Sequence, residues 1–334
     1  MKSFLSKRAS AIMLALAVFT ALSLIFAGCA RKPAGQSSTA SGDGRKVIGF
    51  SQMENDGPWR IAETNSMKEE AKKRDGKFDL VVTDAQKQTS KQVADVEDLI
   101  ARHVDAIFLA PKEFEGLAPA LQAAREAKIP VFLIDREAAG KAGEDYVAFI
   151  GSNFIEQGRR AGEWLAQKSN GKANIVELTG TAGASVARDR KQGFMNEIGK
   201  HPEMHVIASQ DGDFSRAKAQ SVMQNIIQAK GKEITAVYAH NDEMAIGAIQ
   251  ALKAAGMKPG KDVLIVSVDG EKDALKAIIA GDMNVTVESN PRFGPLAFDT
   301  LEKYLQGEKP PTKVMLEDRI FDASNAQQFL NEAY

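Results

Sequence analysis

Three arginines stand close behind apolar runs in this chain, each beside an acid or an aromatic residue. Arg136 follows the run Val131–Ile134, with Asp135 between, in the phrase VFLIDRE. Arg60 follows Trp59 in NDGPWR, behind the apolar run 47–50. Arg190 lies in VARDRKQGF, behind the run 174–178. Other apolar runs also end in polar groups: Asp84 after 80–83, Asn241 after 236–238, Asp269 after 263–268 and Glu288 after 285–287. Phe214 sits in the polar phrase SQDGDF. A guanidinium presents a planar fork of donors that can hold several oxygens at once. Asn donates as well, and carboxylates accept. A sugar hydroxyl does both, and the C–H faces of a sugar ring pack on aromatic rings. Together these residue types describe a sugar site. Each has a plainer reading when taken alone. Asn241 or Asp242 caps a helix beginning at Glu243, Asp269 forms an Asp-Gly turn, and Trp59 and Phe214 pack in a core. A cap has no need of a guanidinium, so the arginines are harder to explain that way.

The elements that would position these groups alternate. Short apolar runs near 47–50, 80–82, 106–109, 131–134 and 147–150 are separated by amphipathic stretches at 61–74, 91–103 and 117–128. In the second stretch Val93, Val96, Leu99 and Ile100 share one helical face. A second set follows, with strands near 174–178, 206–208, 236–238, 263–268 and 285–287 and helices at 159–167, 188–198, 216–229, 243–255 and 273–280. Strand, helix, strand in repetition predicts α/β architecture, with parallel sheets covered on both faces. Two doubly wound lobes of similar length are expected, since 334 residues exceed one ordinary core. The tail from Phe298 adds a helix and, near 314–321, one extended segment. Open parallel sheets bind ligands at the carboxyl ends of their strands. All the polar groups named above lie at such ends, so two facing edges would form one polar cleft.

The N-terminus reads differently. Lys2, Lys7 and Arg8 precede an uncharged, mostly apolar run at 11–27, which closes on Phe26-Ala27-Gly28-Cys29. That is the pattern of an export signal. It resembles a bacterial lipoprotein signal, which would make 1–28 the signal and Cys29 the lipidated first residue. The small polar stretch that follows makes 29–45 a flexible tether. Cys29 is the only cysteine, so no disulfide can form within the folded part. With 26% charged residues and a net charge of −1, there is no basic excess for nucleic acid. No G-x-G-x-x-G follows the first strand, and no G-x-S-x-G, zinc motif or catalytic cysteine is found. Neither an enzyme nor a cofactor or metal is expected.

The phrases VFLIDRE, ELTGTAGASVARDRKQGF, SQDGDF, VYAHNDEMAIGAIQALKAAG and SVDG resemble the type I periplasmic sugar-binding proteins of ABC transporters, in the ribose-binding group. The resemblance spans about 47–322, and GPWR, TAGASVARDRKQGF and HNDEMAIGAIQA look most like its galactofuranose binders. It implies that Asp135, Arg136, Arg190, Asn241 and Asp269 bond sugar hydroxyls, with Arg188 a poor second choice for Arg190. Trp59 and Phe214 would stack on the sugar. Arg60 would replace an aromatic of ribose binders and meet an extra exocyclic hydroxyl. Asp84 and Glu288 would add contacts. It also implies a three-segment hinge near 151–152, 289–290 and 311–318. One lobe would then comprise 46–151 plus 290–314, the other 152–289 plus 315–334. A monosaccharide would close the hinge, and the closed, monomeric protein would dock on an ABC permease, held to the membrane through lipid on Cys29. A sugar-sensing receptor feeding a chemoreceptor or sensor kinase is the alternative use of the same fold.

Overall fold

The computed structural model describes residues 44–334. The expected signal, Cys29 and nearly all of the tether lie outside these residues. Among the described residues no helix is long and apolar enough to cross a membrane.

Strands β1 (Lys46–Gln52), β2 (Phe78–Asp84), β3 (Ala106–Leu109), β4 (Val131–Ile134) and β5 (Ala148–Gly151) alternate with α1 (Pro58–Lys73), α2 (Thr89–Ala101) and α3 (Ala118–Glu126). The chain then runs through α4 (Phe154–Lys168), β6 (Lys172–Thr179), α5 (Ser185–Ile198), β7 (Glu203–Asp211), α6 (Arg216–Lys230), β8 (Ala236–Ala239), α7 (Asp242–Ala254), β9 (Leu264–Asp269), α8 (Lys272–Ala280) and β10 (Val285–Glu288). It ends with α9 (Gly294–Leu305), β11 (Lys313–Met315), β12 (Ile320–Asp322) and α10 (Ala326–Phe329). One sheet has the order β11-β5-β4-β3-β1-β2 and the other β12-β10-β9-β8-β6-β7. These are the two parallel-sheet α/β lobes expected. One detail differs: the tail segment expected as a single extended stretch is two short strands in different sheets. β11 pairs in parallel with β5 of the first sheet, and β12 pairs antiparallel with β10 of the second.

The central strands are apolar on both faces because helices cover both. Phe108 and Phe132 point to one side of the first sheet, where they meet Phe298 of α9. Ile107, Leu109 and Leu133 point to the other, against Leu99 and Leu121. The second sheet repeats the plan. Val237 and Ala239 face Met223 and Met244, while Tyr238 stacks on Phe194 with ring centroids 3.9 Å apart. Helix α9 follows β10 of the second lobe yet packs on the first. The chain therefore crosses between lobes three times, at 152–153, 289–293 and 316–319.

Two local features control how site residues are presented. Helices α4 and α5 touch backbone to backbone. A Cβ on Gly158 would lie 2.0 Å from the Arg190 carbonyl, and one on Gly193 would lie 1.9 Å from that of Ile155. Only glycine allows that approach, and it sets where Arg190 emerges from α5. In the third crossing, Asp318 accepts from Ser152 Oγ at 3.0 Å and from Gln157 Nε2 at 2.8 Å, tying that segment to the first. Burial lifts its carboxyl to about 6, against those two hydrogen bonds and with a further push from Glu288.

Gly193→Ala is expected to lower the unfolding free energy by about 1–3 kcal/mol in a denaturant titration, as overpacking of a close helix pair does; no change would show that the helices can part freely. Asp318 has a folded-state pKa above its ordinary 3.8. Its stabilisation is complete below about pH 4 and is lost as pH rises through about 6. The melting temperature of Asp318→Asn relative to wild type should therefore rise between pH 4 and pH 7, by the equivalent of about 2 kcal/mol at most. A pH-independent difference would count against the lifted carboxyl.

Candidate ligand-binding site

In the first lobe the site starts where β4 ends. Asp135 adopts φ 62°, a conformation costly for a residue with a side chain, and its amide donates to the Ile150 carbonyl at 2.9 Å. Its Oδ2 accepts from Arg60 Nη2 at 2.7 Å. Arg60 stands in the first turn of α1, which Pro58 opens without needing a backbone donor. Its other nitrogen, Nη1, donates to Glu63 Oε2 at 2.7 Å, and its guanidinium lies 4.6 Å from the Trp59 ring centroid. Burial works against the Arg60 charge, but Asp135 and Glu63 outweigh it and raise the pKa. Glu63 is itself lifted to about 6 by burial, with Arg60 opposing. Trp59 is fixed at its far end, where Nε1 donates to the Ser289 carbonyl at 2.8 Å.

Arg136 is the least satisfied of the arginines. Its Nη1 donates to the Lys112 carbonyl at 2.8 Å, but its Nε is buried without a hydrogen-bond partner and lies 3.6 Å from Asp135 Oδ2. Burial first, then the positive charge of Arg60, pulls its pKa down to about 10, while Asp135 pulls the other way.

The second lobe supplies the facing wall. Arg190 Nε donates to Gln157 Oε1 at 2.9 Å, Nη1 to the His240 carbonyl, and Nη2 to Asp269 Oδ1 at 3.2 Å. Asp269 mirrors Asp135 in closing its strand at positive φ, here 133°. Burial raises its pKa strongly, Arg190 lowers it, and Asp242 and Asp135 add to the rise. Asn241 does cap a helix: its Oδ1 accepts from Met244 N at 3.0 Å at the start of α7. Its Nδ2 reaches the Phe214 carbonyl at 3.4 Å. The Phe214 ring lies flat on Gly180, where a Cβ would come within 1.9 Å of its Cζ. The same ring centroid is 5.4 Å from the Arg136 guanidinium of the other lobe.

The lobes meet around these groups. Phe114 N donates to the Gly183 carbonyl at 2.9 Å, and Glu137 N to Ser185 Oγ at 3.0 Å. Between them lies a small cavity of about 70 Å³. At roughly 10–15 Å³ per water this holds a handful of water-sized bodies, room for one compact ring and not for a chain of them. Trp59, Arg60, Asp135, Arg136, Arg190, Phe214, Asn241 and Asp269 all line it.

Asp84 and Glu288 do not line it. Asp84 ends β2, the outermost strand of its sheet, and its carboxylate turns back to accept from Gln86 N at 2.8 Å. Glu288 is engaged by Arg319, whose Nε and Nη2 donate to its two oxygens at 2.8 and 2.7 Å. Arg188 also points elsewhere: it pairs with Asp189 and lies 4.8 Å from the Phe114 ring centroid. Sequence reasoning missed Glu54, Glu243, Glu271 and Val186, which do line the cavity. Reading the whole loop after each strand, and not only its first polar residue, would have found Glu54 and Glu271, whereas Glu243 lies in the first turn of α7.

The arrangement buries donors and acceptors from two lobes around a small space, with aromatic rings to cover a ligand's faces. The sequence profile of the periplasmic binding protein domain matches residues 48–309. The chain belongs to that family. This binding protein is 46% identical over 273 residues to the galactofuranose-binding protein YtfQ of Escherichia coli K12, covering 81% of the chain and 85% of the relative. It is 36% identical over 287 residues to the ribose import binding protein RbsB of Haemophilus influenzae, with 85% and 93% covered. Among solved structures it is similar to the periplasmic binding protein of the arabinose ABC transporter from Shewanella sp. ANA-3, bound to α- and β-L-arabinofuranose. That match has a TM-score of 0.83 and 42% identity, and covers 86% of this chain and 95% of the other. The resemblance seen in the sequence phrases is borne out by these relatives, and the two-lobed α/β fold by the structural match.

Proposed function

We propose that this protein is the extracytoplasmic sugar-binding component of an ABC importer and that its cavity takes a single monosaccharide, with furanose rings as the preferred class. The observation that carries this reading is Arg136. It is buried at the cavity wall with an unpartnered Nε, between the acceptor Asp135 and the Phe214 ring. A buried donor without a partner is costly, and a ligand oxygen would supply what the protein does not. Asp135 and Asp269 accept hydroxyl protons, Asn241 and the arginines donate, and Trp59 and Phe214 cover the ring. The furanoses named for two of the relatives, galactofuranose and arabinofuranose, support the ring class.

The three crossings between lobes serve as the hinge, with 46–151 plus 290–314 moving against 152–289 plus 315–334. A sugar bonded to both lobes binds the closed arrangement better and shifts the population toward it. The closed form then delivers the sugar to a membrane permease. Lipid on Cys29 would keep the protein near that permease, with 29–45 as the tether.

Calorimetry against L-arabinose, D-galactose, D-ribose and D-fructose should show heat and a thermal shift for at least one sugar; none from the whole panel overturns the reading. Arg136→Ala should weaken binding of that sugar by at least a hundredfold, the equivalent of two charged hydrogen bonds at about 1.5–3 kcal/mol each. Its circular dichroism should stay that of the wild type. Unaltered affinity would mean the ligand sits elsewhere.

A further inference from the structure

His240 follows β8 and precedes the cavity residue Asn241, but it does not itself line the cavity. Its ring is buried, and its two nitrogens meet opposite kinds of partner. Nε2 lies 3.2 Å from Glu177 Oε1, while Gly180 N donates to Nδ1 at 3.4 Å. Glu177 is buried as well, and its other oxygen accepts from Lys191 Nζ at 2.7 Å and from Ser209 Oγ at 2.5 Å. A carboxylate oxygen accepts and a backbone amide donates. The ring therefore carries one proton, on Nε2, and keeps Nδ1 as an acceptor. A second proton, on Nδ1, would set two donors face to face. Burial lowers the His240 pKa, against Glu177 and with the charges of Arg190 and Lys191, which keeps the ring neutral.

What this residue grips matters for the site. His240 N donates to the Leu178 carbonyl at 2.9 Å, so backbone and ring together hold the end of β6 and the glycine after it. Gly180 is the seat of Phe214, where an added Cβ would come within 1.9 Å of the ring. A few residues further on, the Gly183 carbonyl accepts from Phe114 N and Ser185 Oγ from Glu137 N, which joins the same loop to the first lobe. The His240 carbonyl accepts from Arg190 Nη1. One buried residue thus bears on Phe214, on Arg190 and on the contact between lobes without touching the cavity.

We infer that His240 is a positioning residue for the ligand: its Nδ1 lone pair fixes Gly180 and, through it, the Phe214 ring that covers the sugar. This rests on the sugar-binding reading above and refines it. Glycine has the freest backbone of any residue, so the bond from its amide is what holds the seat in one orientation. A buried amide deprived of its acceptor turns to find another, and Phe214 moves with it. Stacking on a small ring depends on where the aromatic lies, so a shifted seat weakens binding while leaving the fold in place. The two nitrogens therefore have separate duties. Nε2 satisfies the buried Glu177 and serves the fold; Nδ1 serves the ligand.

The test separates those duties. His240→Asn keeps an acceptor near the position of Nδ1, and His240→Gln keeps a donor near that of Nε2. Calorimetry at pH 7.5 against L-arabinose, D-galactose, D-ribose and D-fructose is run on wild type and both variants, with thermal unfolding of each. For the sugar that wild type binds best, His240→Gln should weaken binding at least fivefold and His240→Asn less than twofold. The melting temperature should fall further in His240→Asn, which takes the ring's donor from a buried carboxylate. Affinity and stability then rank the variants in opposite orders, which a packing role does not produce. If His240→Gln binds as wild type does, or if affinity falls in step with stability, this role for His240 is wrong while sugar binding stands. Nitrogen-15 NMR of the wild-type histidine rings needs no variant at 240 to fold. His103, His201 and His205, none of them buried, are substituted in turn to assign the fourth ring. It should show a proton on Nε2 and none on Nδ1; a proton on Nδ1 overturns the role. If wild type binds no sugar of the panel, the sugar-binding reading fails, and the role of His240 with it.

Discussion

A guanidinium taken out of water must find acceptors, and three of them are buried here around one small space. Arg60, Arg136 and Arg190 are each less than a tenth exposed. Arg60 is compensated by Glu63 and Asp135, and Arg190 by Asp269, Gln157 and a carbonyl. Breaking one such arrangement leaves an uncompensated charge, which is far more costly than never having buried the pair. Much of the surrounding structure follows from this requirement. The two acids close their strands at positive φ, and two glycines let α4 and α5 approach so that Arg190 reaches its partners. Arg136, least compensated within the protein, is the group for which a ligand has most to offer.

The aromatic residues link this electrostatic arrangement to motion. Trp59 belongs to the first lobe but is bonded to Ser289 in the second crossing, and Phe214 belongs to the second lobe but faces Arg136 of the first. Each ring thus lines the cavity and takes part in the contact between lobes. Under the proposed function, a ligand held between the rings would also strengthen the apposition, which is the coupling that ligand-driven closure needs.

Much of this was legible in the residues. The strand runs at 106–109 and 131–134 coincide with β3 and β4 because buried parallel strands are apolar throughout, and their ends are sharp. Placing polar residues at strand ends located the cleft. The rule failed at Asp84, because strand order in space is not strand order in sequence and β2 lies at the sheet's edge. It failed differently at Glu288, whose partner Arg319 is 31 residues away on a segment that read as one extended stretch. Nothing local marks that pairing. Glu271 was passed over because a glutamate just before a helix ordinarily faces water. Only the three-dimensional arrangement shows that it is buried without a cation.

The threefold crossing has a consequence for how the chain reaches its native state. The strand that completes the first sheet, β11, begins at Lys313, 162 residues beyond Gly151 at the end of its neighbour β5. Helix α9, which covers one face of that sheet, also arrives only after β10, when most of the second lobe has been made. Contacts so distant in sequence carry a loop-closure cost and slow folding. A nascent chain cannot finish its first lobe until Lys313–Met315 has been made, so β5 keeps an open edge during synthesis. The same threefold connectivity thus delays compaction, a useful property for any chain that has to be threaded through a membrane channel before it folds.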